Sequence, residues 1–228
     1  MKDIRAVLFD LDDTLYPEMD FVRSGFRATT SFLEARFGVD PRATFEAMMA
    51  ALERDGRGMV FDTVLRELGL WELGLYRHEL TKTLLYLYRS HRPEICLYDD
   101  VLPFLYYLRA SDIRTGLITD GMASVQRNKI RALGLEDILD VIICTDELGR
   151  EYWKPSLVPF KVALELLPGG IAPEEAVYIG DNPGKDFIAP NELGMTSIQI
   201  ARSDDLPIGN DVKARAHYRY SALQLVTS

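Results

Sequence analysis

A short apolar run that ends abruptly in acidic residues constrains this chain more than any other feature. Residues 6–9 read Ala-Val-Leu-Phe, and Asp10, Asp12, Asp13 and Thr14 follow within five positions. A continuous apolar run of this length is typical of a strand that is buried on both faces of a parallel sheet. Carboxylates this close repel one another and lose hydration when they are buried. The cluster therefore predicts a site that holds a positive charge, most simply a divalent cation.

Four further apolar runs follow the first, and helical patterns alternate with them. The predicted strands are Ala6–Phe9, Thr115–Ile118, Val141–Cys144, Ala176–Ile179 and Thr196–Ile200. Helices are predicted over Asp99–Leu108, Ala123–Leu133 and Pro155–Leu167, and Pro190 predicts that the helix after the fourth strand is short or kinked. This alternation predicts an α/β fold, a doubly wound, Rossmann-like parallel sheet with helices on both faces.

One long stretch interrupts the alternation directly after the acidic loop. Residues 20–93 contain no convincing strand and carry apolar residues at helical spacing instead. Four such periods suffice for a small helical bundle, whose methionine and aromatic stripes would form its core. We therefore predict two domains: an α/β catalytic core over residues 1–18 and 94–228, and a helical cap inserted at residues 19–93.

Composition and charge exclude several classes of function. The 228 residues include 26 Lys and Arg against 35 Asp and Glu, a formal net charge of −9, which argues against nucleic acid and anionic membranes as partners. There is no signal-peptide pattern, and no apolar stretch approaches the roughly 20 residues that span a bilayer, so we expect a cytoplasmic protein. Cys96 and Cys144 both stand beside apolar residues and are predicted to be buried and unpaired. The three histidines have no ligand spacing, which disfavours a zinc site.

Polar residues also follow the later strands. Thr119 and Asp120 come after the second strand, Lys154 lies between the third and fourth, and Asp181 and Asp186 come after the fourth. Ligands of doubly wound sheets bind beyond the carboxyl ends of the strands, so these side chains are expected at one edge. Their chemistry suits phosphoryl transfer: a carboxylate can be the nucleophile, carboxylates bind Mg²⁺, and hydroxyl and ammonium groups donate to phosphate oxygens.

Four motifs in order give the chain a resemblance to the haloacid dehalogenase superfamily of phosphatases over nearly its whole length. D-x-D-x-T matches residues 10–14, a Ser or Thr that ends an apolar strand matches Thr119, Lys-Pro with a later Phe matches Lys154, Pro155 and Phe160, and G-D-x-x-x-x-D matches Gly180, Asp181 and Asp186. Each motif alone is weak, but the four in this order, with a helical insertion after the first, are specific. Asp120 departs from the family pattern, which commonly has Asn there.

The resemblance implies a role for each catalytic candidate. Asp10 would attack phosphorus and form an aspartyl-phosphate. Asp12 would protonate the leaving alkoxide and then activate the water that cleaves the intermediate. Thr119 and Lys154 would hold the phosphoryl oxygens, with Asp120 beside them as a further phosphate-site residue.

The resemblance also implies a Mg²⁺ cofactor and a small-molecule phosphate ester as the partner. The metal candidates are Asp10, Asp12 through its backbone carbonyl, Asp181 and Asp186. Asp186 would lie just behind the metal and orient its waters or Lys154. The expected function is a Mg²⁺-dependent phosphomonoester hydrolase of a small soluble metabolite.

Several alternatives stay open on the sequence. A sugar phosphomutase would use the same aspartyl-phosphate. A haloacid dehalogenase ranks lower, because it needs neither the second aspartate nor a metal. An inactive binding module would have lost a motif carboxylate, and none is lost. Asp13 is expected to cap the loop or face solvent, and Lys185 to lie on the surface. The segment Tyr16–Glu18 is read equally well as a substrate contact or as a proline turn. The physiological substrate and the oligomeric state, monomer or homodimer, are left open.

Overall fold

A computed structural model describes residues 4–73, 76–202 and 211–223 of the chain. Its backbone divides into two compact units. The first runs up to Glu18 and resumes at Ile95, and the second comprises Met19–Glu94.

The first unit is built on a parallel sheet. Its strands are β1 (Ala6–Phe9), β2 (Arg114–Thr119), β3 (Val141–Cys144), β4 (Ala176–Gly180), β5 (Thr196–Ile200) and β6 (Tyr218–Tyr220). They lie in the order β3-β2-β1-β4-β5-β6, and every pairing is parallel. The order reverses beside β1, which pairs with both β2 and β4. The predicted α/β fold is confirmed, and β1 lies at the point where ligands of such sheets bind.

Of the three helices predicted for this unit, two begin later than predicted and one begins at Ala123, as predicted. The helices of the unit are α5 (Val101–Ala110), α6 (Ala123–Ala132), α7 (Val158–Leu166) and α8 (Ile188–Leu193), numbered after the four helices of the second unit. The α7 helix begins three residues later than predicted, with Pro159 in its first turn, where the missing N–H costs nothing. Pro190 also falls in a first turn, and α8 is short, as predicted; it ends at Leu193, where Gly194 (φ 82°) is the C-cap.

The apolar core of the first unit reaches the functional edge through Tyr178. Phe160, Phe187 and Tyr178 are fully buried in one cluster with residues of β1, β2 and β3. The rings of Phe160 and Tyr178 meet edge to face with centroids 4.9 Å apart. Such aromatic pairs contribute packing beyond the area that they bury, and the Tyr178 hydroxyl is left pointing at polar groups.

The second unit is a helical bundle with its own core. Its helices are α1 (Glu18–Phe37), α2 (Pro41–Asp55), α3 (Val60–Glu67) and α4 (Tyr76–Ser90). Asp40 caps α2 by accepting hydrogen bonds from the backbone N–H groups of Arg42 and Ala43. Met48, Leu65 and Leu84 are fully buried in its apolar cluster. The apolar stripes therefore form a core, as their helical spacing predicts.

One prediction about the cysteines is wrong. Cys144, in β3, is buried and free as expected, but Cys96 is exposed. Ile95 takes the buried position beside it, and in an extended segment the neighbouring side chain faces the other way. None of the helices within the described ranges combines the length and the apolar character that a bilayer-spanning segment requires.

Candidate active site

The loop after β1 presents Asp10 at the edge of the sheet. The backbone N–H of Asp10 donates to the carbonyl of Ile179 in β4 over 2.8 Å, so the end of β1 is tied to its neighbour. The Asp10 side chain is 1% exposed, and its Oδ2 atom has no hydrogen-bond partner within the described structure. Asp13 adopts φ 56°, and its Oδ1 accepts from the N–H of Glu18 at 2.9 Å. Asp13 thus shapes the turn.

Lys154 joins two buried carboxylates. Its ammonium lies 2.5 Å from Oδ1 of Asp10 and 2.8 Å from Oδ1 of Asp186, and the lysine side chain is fully buried. The ammonium also lies 3.1 Å from the hydroxyl of Tyr178. Burial disfavours the charged form, but the two carboxylates outweigh it, so the pKa of Lys154 lies well above its usual value. Lys154 is therefore a permanent cation that holds Asp10 in place.

Asp186 is held from both sides. Its Oδ1 accepts from Lys154 and from the Tyr178 hydroxyl at 3.1 Å, and its Oδ2 accepts from the N–H of Asn182 at 2.9 Å. Burial raises the pKa of Asp186, but the attraction of Lys154 and Lys185 and these hydrogen bonds bring it below its usual value. Because both carboxylate oxygens of Asp186 already accept hydrogen bonds from the protein, Asp186 is suited to orienting Lys154.

Three carboxylates converge beside Lys154. Oxygens of Asp10, Asp181 and Asp186 lie within 4.8 Å of one another, and all three residues are buried. The backbone carbonyl of Asp181 accepts from Nε2 of Gln199 at 2.9 Å, which fixes the loop after β4. Burial and the neighbouring carboxylates raise the pKa of Asp181 to about 8. For Asp10, burial outweighs the attraction of Lys154, and its pKa rises to about 6. The cluster is short of positive charge.

Lys185 lies closer to this cluster than the sequence suggests. Its ammonium is 4.0 Å from Oδ2 of Asp10, and its side chain is 32% exposed. The charge of Asp10 outweighs burial and raises the pKa of Lys185. The predicted surface position is therefore wrong in one respect, because the side chain extends from the rim toward the nucleophile candidate.

Asp12 occupies a separate polar pocket. Its Oδ1 accepts from the ammonium of Lys129 at 2.7 Å and from the hydroxyl of Tyr16, and its Oδ2 accepts from Nε2 of Gln126 at 2.9 Å. Burial raises the pKa of Asp12, but Lys129 and the three hydrogen bonds outweigh it, and the pKa lies below its usual value. The phenol of Tyr16 is buried against this carboxylate, which raises the tyrosine pKa.

Thr119 ends β2, Asp120 follows it, and their side chains contact different partners. Oγ1 of Thr119 lies 2.5 Å from Nε2 of Gln126, the amide that also holds Asp12. Oδ1 of Asp120 accepts from the Thr145 hydroxyl at 2.7 Å and from the backbone N–H of Lys154 at 3.1 Å. These contacts give Asp120 a structural part: it fixes the backbone that carries Lys154.

The structure therefore gathers the predicted site residues into two adjoining groups. Asp10, Asp181, Asp186 and Lys154 form one, and Asp12 and Thr119 form the other. The carboxylate of Asp12 lies outside the triad found among the described residues, so only its backbone remains as a metal candidate. Sequence reasoning missed several partners of these residues, among them Gln126, Lys129 and Tyr178. Each of these polar side chains occupies a buried position, and the sequence alone does not show that these positions are buried.

Comparisons with known proteins agree with this geometry. Residues 4–194 match the profile of the haloacid dehalogenase-like hydrolases. The chain belongs to this hydrolase family. A glyceraldehyde 3-phosphate phosphatase of Methanocaldococcus jannaschii is 32% identical over 87% of this chain and 86% of the relative. A phosphoserine phosphatase of Thermus thermophilus is 30% identical over 90% of this chain and 88% of the relative.

A solved structure supports the same family assignment. The crystal structure of a haloacid dehalogenase-type phosphatase from Thermococcus onnurineus has a TM-score of 0.62 and 27% identity, and it covers 98% of this chain and 96% of its own. A 2-haloacid dehalogenase from Pseudomonas syringae has a TM-score of 0.65, but at 24% identity it shows the shared fold alone. The predicted family and the predicted phosphoester hydrolase are confirmed by these matches.

Proposed function

We propose that this protein is a Mg²⁺-dependent phosphomonoesterase that forms an aspartyl-phosphate on Asp10. The proposal rests on how the two oxygens of the Asp10 carboxylate are contacted. One of its oxygens is fixed by Lys154 at 2.5 Å, and the other is buried without a hydrogen-bond partner in the described structure. A buried acceptor without a partner is costly unless a ligand uses it.

The residues present fit a hard divalent cation. Asp10, Asp181 and the backbone carbonyl of Asp12 offer oxygen donors, which Mg²⁺ prefers. Burial, and for Asp181 also the neighbouring carboxylates, raises the pKa of Asp10 to about 6 and that of Asp181 to about 8, so both acids are costly to ionise without a cation. When bound, the ion would neutralise charge on the phosphoryl group and favour the ionised carboxylates.

Asp10 and Asp12 would divide the chemistry of two steps. An oxygen of Asp10 attacks phosphorus, the bond to the leaving oxygen breaks, and that oxygen takes a proton from Asp12. Water then attacks phosphorus, Asp12 takes its proton, and the bond to Asp10 breaks to release phosphate. The lowered pKa of Asp12 suits the second step. Arrival of a phosphate dianion would raise that pKa, so that Asp12 takes up a proton from water and can give it to the leaving oxygen in the first step.

Other residues would bind the phosphoryl group and exclude water. Thr119 and Lys154 would donate to its oxygens, and Asp186 would keep the ammonium of Lys154 oriented. We propose that the helical unit, residues 19–93, is a cap, since it is inserted directly after the loop that carries Asp10. A cap over the site would favour small substrates and exclude bulk water.

The substrate class that we propose is a small phosphomonoester. Support comes from the names of the relatives, which act on glyceraldehyde 3-phosphate and phosphoserine. A panel of such esters with Mg²⁺, scored by kcat/KM, would rank them. Release of free phosphate, rather than interconversion of sugar phosphates, separates the hydrolase from a mutase.

The replacement Asp10→Asn tests the nucleophile. Phosphate release from an aryl phosphate should fall to the assay background, because an amide cannot form the covalent intermediate. Far-UV circular dichroism should remain that of the unchanged protein. Asp137→Asn is the matched control, since Asp137 is exposed and distant from the triad in sequence; it should keep full activity. Turnover by Asp10→Asn, or full turnover in excess EDTA, would contradict the proposal.

A further inference from the structure

The helix α6 carries two buried polar side chains that the two-step chemistry leaves without a role. Gln126 and Lys129 are 2% and 4% exposed. They are three residues apart, so they share one face of the helix. Both reach Asp12, more than a hundred residues away in the chain. A buried amide and a buried ammonium are expensive unless their contacts serve a purpose.

The amide of Gln126 orients two predicted site residues at once. Its Nε2 lies 2.9 Å from Oδ2 of Asp12 and 2.5 Å from Oγ1 of Thr119. An ionised carboxylate only accepts, so the nitrogen of the amide must face Asp12. Its two hydrogens then serve Asp12 and Thr119. Because Oγ1 of Thr119 is used as an acceptor, the hydroxyl hydrogen of Thr119 is free to point at another acceptor, such as a phosphoryl oxygen.

Lys129 fixes the other oxygen of the same carboxylate. Its ammonium donates to Oδ1 of Asp12 at 2.7 Å, alongside the Tyr16 hydroxyl. With Gln126 on Oδ2, the Asp12 carboxylate is held from three directions and keeps one orientation. Rotation of an acid/base carboxylate away from its water or leaving group would slow proton transfer.

Gly121 makes room for this arrangement. It has φ +125°, and a Cβ atom there would lie 3.2 Å from the carboxamide of Gln126. That φ and that space both favour glycine. The backbone of the turn between β2 and α6 is thus matched to the Gln126 side chain.

We propose that Gln126 and Lys129 are positioning residues of the hydrolysis, Lys129 acting through Asp12 and Gln126 through both Asp12 and Thr119. The proposal rests on the proposed function of those two residues. In the second step the oxygen of water bonds to phosphorus, Asp12 takes one of its protons, and the bond to Asp10 breaks. Loss of Lys129 should slow this proton transfer, so that aspartyl-phosphate accumulates. Loss of the Gln126 amide should also weaken phosphate binding by Thr119.

Rapid-mixing kinetics with p-nitrophenyl phosphate and Mg²⁺ test Lys129. The nitrophenolate leaves without a proton, so the first step depends little on Asp12. Lys129→Met should reduce kcat by about tenfold to a hundredfold, less than the roughly 10²–10⁴-fold that a positioned acid or base contributes, because Asp12 itself remains. It should also show a nitrophenol burst that approaches one equivalent per active site, larger than that of the unchanged protein. Arg131→Met is the matched control, because it replaces an exposed cation of the same helix.

Inhibition by inorganic phosphate tests Gln126. Gln126→Glu turns a donor into an acceptor, which repels Asp12 and captures the Thr119 hydrogen. Its inhibition constant for phosphate should rise about tenfold or more, the scale of one hydrogen bond to a charged group. Lys129→Met should change that constant by less than about threefold, since Lys129 contacts Asp12 rather than Thr119.

Each outcome separates this proposal from the proposed function. A Lys129→Met protein with unchanged kcat and no added burst overturns the role of Lys129. An unchanged phosphate constant in Gln126→Glu overturns the role of Gln126. If Lys129→Met does not fold, Lys129→Gln carries the same burst test, because it removes the cation beside Asp12 but keeps a polar side chain. Turnover by Asp10→Asn would instead overturn both proposals, since no aspartyl-phosphate would then form on Asp10.

Discussion

Replacing Lys154 by Met is the most informative single test of how this site is held together. The Lys154 side chain is fully buried, and its ammonium lies 2.5 Å from Asp10 and 2.8 Å from Asp186. The substitution keeps the length of the side chain but leaves two buried carboxylates without that cation. The ammonium of Lys185 remains 4.0 Å from the other oxygen of Asp10, partly exposed, and compensates only in part.

The magnitude follows from the burial of the pairs. Removing one partner of a buried ion pair costs about 3–5 kcal/mol of unfolding free energy. In a chain of this size 1 kcal/mol shifts the melting temperature by about 2–4 °C, so the expected decrease is roughly 6–20 °C. Phosphate release should also fall to background, because Asp10 would lose its fixed orientation and the phosphoryl group one of its donors.

Thermal unfolding followed by circular dichroism, in buffer with EDTA, gives the measurement. Lys161→Met is the matched control: Lys161 is exposed on α7, and its loss should change stability by less than about 0.5 kcal/mol. A Lys154→Met protein that melts within about 2 °C of the control, the shift that less than 1 kcal/mol produces, would refute the idea that Lys154 balances the carboxylates. Partial recovery of the melting temperature on adding Mg²⁺ would support it.

Two further predictions concern the carboxylates and the turn. Asp10 and Asp181 have folded pKa values of about 6 and about 8, above the ordinary 3.8; their stabilising contribution is therefore complete below about pH 4 and is lost as the pH rises through 6 and 8. Melting temperatures in EDTA should fall over that window, and Mg²⁺ should reduce the fall; a rise without metal would contradict the charge imbalance. Gly121→Ala should lower both stability and kcat, because φ is +125° and the new Cβ meets Gln126. Gly134→Ala is the control, because its φ is +68° and an added Cβ would meet no other atom. It should lower the stability by about 1–2 kcal/mol and leave kcat unchanged. Equal losses of kcat in the two variants would contradict the role of the turn at Gly121.

The strand ends show how much of the site could be predicted from the chain. Apolar runs indicate buried parallel strands, and the residues that follow them must lie at one edge, so the sequence alone assigns Asp10, Thr119 and Asp181 to a common site. Asp120 also follows β2 directly, but the pattern does not predict that its carboxylate accepts from Thr145 and from the backbone of Lys154. The direction of a side chain in a loop depends on φ and ψ, which the sequence pattern does not specify.

By itself, the sequence determined the helical insertion, the parallel sheet and the acids at the carboxyl edge of that sheet. The reason is that apolar periodicity is local, so each run selects its own secondary structure. Only the tertiary structure decided what surrounds those acids. Lys154 is held between Asp10 and Asp186, and Gln126 and Lys129 reach Asp12 from a helix that begins more than a hundred residues later. These contacts depend on where each helix packs on the sheet and on how it is rotated about its own axis. That docking is set by the packing of the whole core, which no local pattern encodes.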